Sequence, residues 1–228
     1  GQGLEPAVKR LSKSQKHKRR VLVSISGTIE DEIFECLRQT QSLVSGLELN
    51  ISSPNTAGLR IFHEPARLRG LIEGLAAEKI VPLFVKLPPW HRDEDSRREL
   101  LKLADTAVDA GVDGLVIANT HSIESSCLKV GRGGLSGAPL FEHTELMIAD
   151  VQARVQGQAS IIACGGVSTA EHVWKLLATG ASAVQLYTSF IYEGPGLPAR
   201  INKRLVKLMS AAGISSVKDI SGPPPPVK

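Results

Sequence analysis

Apolar runs of five or six residues alternate along this chain with longer stretches whose apolar positions recur every three or four residues. The short runs, at residues 21–26, 47–51, 82–86, 114–118, 160–164 and 183–187, read as strands, and their aliphatic and β-branched residues suit burial in a parallel sheet. The longer stretches, at residues 30–43, 65–77, 95–110, 141–155, 170–179 and 197–212, carry the helical period. Thr28 followed by Asp31, and Ser168 followed by Glu171, fit helix starts of the capping-box kind. Gly111, Gly180 and Gly213 each follow a helical stretch, as left-handed C-terminal caps do. Strands that alternate with helices imply an α/β fold, parallel pairing and right-handed crossovers.

Polar residues gather at the C-terminal ends of these strands: Ser24 and Ser26, Asn50 and Ser53, Lys86, Asn119 and Thr120, Gly165 and Gly166, Tyr187 and Thr188. In a (β/α)8 TIM barrel those ends form the active-site face. An open doubly wound sheet also binds at its strand ends, but at one switch point, whereas here nearly every strand contributes. The expectation is therefore a barrel type truncated to six βα units, because complete barrels typically need about 250 residues and eight units. It would occupy residues 21–222, between a basic flexible N-terminal arm at 1–20 and a Pro-rich tail at 223–228.

Charge and cysteine content narrow the function classes. The net charge is +4, and residues 1–20 hold seven cations against Glu5, so the rest of the chain is mildly acidic. Such an arm suits nucleic acid, anionic lipid or the end of a targeting sequence, but also a plain solvated tail; the tail is the expectation, with no nucleic-acid partner. The three cysteines, Cys36, Cys127 and Cys164, lack metal-ligand spacing and suit reduced thiols in an intracellular protein, cytoplasmic or mitochondrial. No apolar stretch is long enough to span a bilayer, and no signal-peptide core is visible.

Asn50-Ile51-Ser52-Ser53-Pro54-Asn55-Thr56 is the most chemically loaded segment. Pro54 ends the strand and holds Ser53 extended at the turn beyond it. Asn50 and Asn55 offer acceptors and donors that match a flat ligand with alternating C=O and N–H groups. The segment is either a binding edge around a serine that moves a proton, or a turn built from good turn formers. Lys86 ends an apolar strand and needs an anionic partner, in a ligand or in the protein. Cys164-Gly165-Gly166-Val167-Ser168 joins a strand to a helix start, a place where backbone N–H groups bind phosphate. Gln185-Leu186-Tyr187-Thr188 ends the next strand, and barrels commonly bind phosphate with these last two loops. Arg132-Gly133-Gly134-Leu135-Ser136-Gly137 lies in a long connection and reads as a flap, a phosphate contact or a connector.

Together these motifs, with Val85-Lys86-Leu87-Pro88-Pro89 and Ala118-Asn119-Thr120, resemble in order the flavin-dependent dihydroorotate dehydrogenases of pyrimidine synthesis. The resemblance runs from about Val21 to Gly222; the six strands match the family's third to eighth, and residues 1–20 do not resemble the first two. It implies FMN-dependent oxidation of dihydroorotate to orotate, with Ser53 as the base at C5 and hydride passing from C6 to the flavin. Asn50, Asn55, Asn119 and Thr120 would hold the pyrimidine. Asn50, Lys86 and Ala118 would contact the isoalloxazine region, and Ser136, Gly137, Gly165, Gly166, Tyr187 and Thr188 the ribityl phosphate. Ser53 marks the membrane-associated, quinone-reducing branch, whereas Val23-Ser24-Ile25-Ser26-Gly27, Val85-Lys86-Leu87-Pro88-Pro89 and Tyr192-Glu193-Gly194-Pro195 look like the soluble, fumarate-reducing branch. Either quinone or fumarate is thus the acceptor. Without two strands, residues 21–26 and 183–187 would be open edges, which a homodimer or another chain could complete. The alternatives are a non-catalytic remnant that binds FMN or phosphate weakly, and another flavin barrel such as a tRNA dihydrouridine synthase.

Overall fold

The structure is a computed structural model that describes residues 3–14, 20–52, 58–91 and 93–226. The chain forms two compact units, Gly1–Pro88 with Lys102–Val116, and Pro89–Leu101 with Ile117–Lys228.

The first unit contains α1 (Leu4–Ser14), β1 (Leu22–Ile25), α2 (Glu30–Thr40), β2 (Gly46–Asn50), α3 (Pro65–Glu78) and β3 (Leu83–Lys86), then the end of α4 (Glu94–Asp109) and most of β4 (Gly114–Ile117). β1, β2, β3 and β4 pair in that order, all parallel, with Leu22 opposite Gly46, Leu47 opposite Leu83 and Phe84 opposite Gly114. Alternation along β2 puts Leu47 and Leu49, both fully buried, on one face and Glu48 and Asn50 on the other. α3 buries Leu68, Leu71, Ile72 and Leu75, the stripe its helical period prescribes, and α2 buries Ile33 and Leu37. Gly74 lets the two helices close up, since a Cβ there would sit 2.8 Å from the Phe34 ring. Across the same contact Arg38 pairs bidentately with Glu78 at 2.7 and 2.6 Å. Asp113 accepts from the Leu83 N–H at 2.7 Å and pairs with Lys79, which ties down the start of β3.

The second unit holds the first half of α4, a hairpin of β5 (His121–Glu124) and β6 (Arg132–Leu135), α5 (Phe141–Val155), β7 (Ser160–Cys164), α6 (Ala170–Thr179), β8 (Ala183–Gln185), α7 (Thr188–Glu193) and α8 (Leu197–Ala211). β7 and β8 are parallel, with Ile162 opposite Ala183. Arg97 on α4 grips Asp150 on α5 through two 2.8 Å bonds, and Arg204 on α8 reaches Glu171 on α6 at 3.1 Å. Trp174 is buried on α6, and its indole N–H donates to the Gly222 carbonyl at 3.0 Å.

All six expected strands form within one or two residues of their anticipated bounds, and α5 and α6 match theirs. Gly111, Gly180 and Gly213 take φ of 90°, 120° and 70°, as C-terminal caps should. Three differences have physical causes. Within residues 1–20, treated above as a flexible arm, Leu4–Ser14 is a helix whose half-buried Leu4, Ala7, Val8 and Leu11 share one face, the spacing that places side chains on one side of a turn. Glu32 rather than Asp31 reaches back to the Thr28 N–H, at 2.9 Å, and Thr169 rather than Ser168 caps α6 by accepting from the His172 N–H at 3.1 Å. The glycine-rich connection is the antiparallel hairpin β5–β6. No described helix is long and apolar enough to cross a membrane.

Truncating fully buried Leu49 to alanine should lower stability by about 2–5 kcal/mol. Truncating Ile80, 70% exposed, should change it by no more than about 0.5 kcal/mol. Urea unfolding midpoints of the two variants provide the comparison.

Candidate functional site

In the first unit, the register places Asn50 opposite Lys86, and Lys86 opposite Val116, so the polar ends of β2 and β3 lie on one rung. Parallel partners point to the same face, which puts Asn50 and half-buried Lys86 side by side. One rung below on that face, Glu48 is only 5% exposed and accepts from Ser24 Oγ at 2.8 Å. Beyond the strand, Asn50 Oδ1 accepts from the Ser52 N–H at 3.0 Å and from Ser52 Oγ at 2.7 Å, an Asx turn. His63 donates through Nε2 to the Ile51 carbonyl at 2.9 Å, and both Ile51 and Ser52 are buried. The chain is thus anchored up to the threshold of residue 53. Ser53 and Asn55 themselves lie outside the described residues.

The second unit gathers the other candidates into two groups. Ala118 is fully buried and donates its N–H to the Cys164 carbonyl at 3.0 Å. Asn119 Oδ1 accepts from the Thr120 N–H at 2.8 Å. Thr120 in turn packs against the hairpin, where a Cβ on Gly134 would fall 2.5 Å from its hydroxyl. Thr188 Oγ1 and Ser136 Oγ are 3.1 Å apart, and Gly137, with φ of 83°, brings its backbone against Thr188. Tyr187 is 75% exposed.

The turn after β7 is the most constrained part. Gly165 and Gly166 have φ of 136° and 75°, values that side chains disfavour. A Cβ on Gly165 would lie 2.6 Å from Thr144 Oγ1, and one on Gly166 only 2.3 Å from the Phe141 backbone nitrogen. Ser189 Oγ bonds the Val167 carbonyl at 2.6 Å, which links this turn to the start of α7. Two successive glycines at a strand-to-helix turn present backbone N–H groups to an anion, and the α6 N-terminus adds its dipole. Such a donor set fits a phosphate ester. Among the described residues no cluster of His, Cys, Asp or Glu is placed to hold a metal ion.

Sequence reasoning missed the residues behind this turn: Phe141, Thr144 and His172. His172 stacks on Phe141 with ring centroids 3.9 Å apart and planes 18° from parallel. Burial holds its pKa below the ordinary value, and Lys175 adds to the depression, opposed by a hydrogen bond to the Gly166 backbone and by Glu171 and Glu145. The Ser-Thr cap followed by a histidine at the third helical position was the available signal. Glu48, a charge in an otherwise apolar strand, was another.

A family model described as dihydroorotate dehydrogenase matches residues 1–209. The match takes in the basic segment at residues 1–20, which lies outside the resemblance drawn from the motifs. The mitochondrial dihydroorotate dehydrogenase (quinone) of Arabidopsis thaliana is 37% identical over 190 residues, covering 77% of this chain and 40% of that protein. The dihydroorotate dehydrogenase (quinone) of Parvibaculum lavamentivorans is 36% identical, covering 82% of this chain and 54% of its own length. A crystal structure of the Eimeria tenella enzyme in complex with ferulenol superposes with a TM-score of 0.82 at 31% identity, covering 96% of this chain and 66% of that one. The chain spans about half the length of the curated relatives it matches. The fold class anticipated from the sequence, α/β of the (β/α)8 type reduced to six βα units, holds.

Replacing Gly194 by alanine, at φ of 79° with no atom within 4 Å of the new Cβ, should cost about 1–2 kcal/mol. The same change at Gly166 adds a backbone clash and should cost clearly more; thermal melts of both variants measure the gap. His172 also predicts a pH effect. Its folded-state pKa is depressed, so as pH falls below about 6.5 the unfolded chain takes up its proton first and the native state is penalised. The stability difference between the unaltered chain and His172→Phe should therefore shrink between pH 7.5 and 5.5, read from urea midpoints.

Proposed function

The chain belongs to the dihydroorotate dehydrogenase family, and we propose that its site oxidises dihydroorotate to orotate with FMN, the redox step of pyrimidine synthesis. The observation that carries this reading is the Gly165–Gly166 turn, too tightly packed for any side chain and tied through Ser189 to the start of the helix that carries Thr188. Gly165, Gly166, Ser136, Gly137 and Thr188 would hold the ribityl phosphate, with Tyr187 at its rim. Lys86, Asn50 and Ala118 would border the flavin ring. Lys86 would place its ammonium against the pyrimidine portion of the ring, where negative charge is stabilised by a nearby cation. A bound flavin supplies the acceptor for the hydride that leaves C6.

Ser53 Oγ would take the proton from C5 of dihydroorotate, so that loss of H⁺ from C5 and H⁻ from C6 leaves the C5=C6 double bond of orotate. A serine alone is a weak base, so its proton must pass onward. Asn50, Asn55, Asn119 and Thr120 would hydrogen-bond the substrate ring and fix its face, an orientation effect. Asn50 suits this task because its carbonyl oxygen is already committed to Ser52, which orients its amide donors. The relatives' names favour a quinone over fumarate as the final acceptor.

A second reading is binding without turnover. Protein purified yellow, with a flavin spectrum bleached anaerobically by dihydroorotate, supports the enzyme; protein that binds FMN but is never bleached supports the second reading. Colourless protein that ignores added FMN sinks both. Ser53→Ala should slow flavin reduction by at least about a hundredfold and leave orotate affinity within a few-fold. An unchanged reduction rate would remove Ser53 as the base.

A further inference from the structure

His63 is the last residue of a short 3-10 helix, Leu59–His63, and it has no part in the chemistry proposed above. Leu59 and Phe62 are fully buried and seat that helix in the core, which fixes where His63 stands. Its Nε2–H donates to the Ile51 carbonyl at 2.9 Å. The N–H at the far side of the same peptide, that of Ser52, donates to Asn50 Oδ1 at 3.0 Å. A peptide unit is planar, so its C=O and its N–H turn together. His63 and Asn50 therefore grip one peptide from its two ends.

The direction of the Asn50 carboxamide depends on that grip. A backbone N–H can only donate, so the atom it meets must be Oδ1, and Nδ2 with its two hydrogens is turned away from the Ser52 peptide. The Ser52 hydroxyl, 2.7 Å from Oδ1, can donate or accept, so it cannot by itself decide between the two ends of the amide. Ile51 is 0% and Ser52 3% exposed, so solvent is not at hand to replace a lost partner. Without His63 the Ile51 carbonyl would be a buried acceptor in search of a donor, and turning it would carry the Ser52 N–H off Oδ1. Lys86 stands opposite Asn50 on the same face, and its ammonium also only donates. The complement of this rung is a ligand edge that only accepts, a carbonyl or carboxylate of a planar ring. We propose that His63 is a positioning residue: through the Ile51–Ser52 peptide it keeps the Asn50 amide donors turned to the ligand, and so selects an acceptor edge of a pyrimidine.

This inference rests on the reading of Asn50 as a pyrimidine contact, and the test separates the two. Orotate affinity of the full chain, with FMN in excess, is measured by calorimetry. His63→Leu should weaken orotate by about tenfold, and His63→Gln, whose amide keeps a donor, should restore most of it. Asn50→Ala should weaken orotate too, and in that background His63→Leu should change affinity by no more than about twofold, because the two residues act as one. Asn50→Asp, which has the same shape but only acceptors, should bind orotate no better than Asn50→Ala; affinity equal to that of the unaltered chain overturns the assignment of donors. A merely structural His63 would weaken orotate equally in both backgrounds. That outcome, or full affinity in His63→Leu, overturns the positioning role while the Asn50 contact stands. If the unaltered chain binds no orotate, or Asn50→Ala binds it as well, the pyrimidine reading of Asn50 fails and this inference with it. Should His63→Leu not fold, hydrogen exchange in the unaltered chain decides. The Ser52 N–H should exchange at least about tenfold more slowly with orotate bound, and equal rates overturn the proposal.

Discussion

Parallel pairing in register sets what every residue of β1 to β4 can do. A slip of β2 by one position would carry Glu48 and Asn50 into the layer packed by α2 and α3, and would turn Leu47 and Leu49 out of it. Burying an unpaired carboxylate and an amide among Ile33, Leu37 and Leu71 would cost several kcal/mol, so the register is strongly specified. Once it is set, Asn50 and Lys86 must share a rung, and the polar ends must gather on one level.

That logic explains which features the amino-acid sequence disclosed. The strands and main helices were legible because apolar period and turn residues agree over long stretches, as in α5 and α6. α1 escaped because the seven cations of residues 1–20, three of them in the helix itself, mask the Leu4, Val8, Leu11 stripe. The hairpin β5–β6 escaped because Arg132-Gly133-Gly134-Leu135 has neither strand propensity nor clean alternation. At the site, Asn50, Lys86 and the Gly165–Gly166 pair were legible as chemistry on strand ends. His172 was not, because a histidine inside a helical pattern gains its meaning only when the helix start turns it back against the preceding loop.

The candidate residues of the two units use different physics. In the first unit, charge is concentrated on the sheet face opposite Leu47 and Leu49, with Glu48 beneath the rung of Asn50 and Lys86 and Ser24 bonded to its carboxylate. In the second, almost nothing is charged: the turn after β7 works through backbone direction, and its residues are selected for the absence of side chains. Substitutions should therefore act differently in each. In the first unit they change what the site binds, and in the second they change whether the backbone can adopt its shape at all.

The bond between Trp174 and Gly222 gives the fold a built-in optical reporter. The chain has two tryptophans, and the indole of Trp174 is 2% exposed with its N–H on the Gly222 carbonyl. The emission of that indole depends on the polarity around it and on the acceptor it faces. Undocking the segment that carries Gly222 would wet the ring and strip the N–H of its acceptor, which shifts emission to longer wavelength. The seating of the C-terminal segment on α6 is therefore visible in the intrinsic fluorescence of the unlabelled protein.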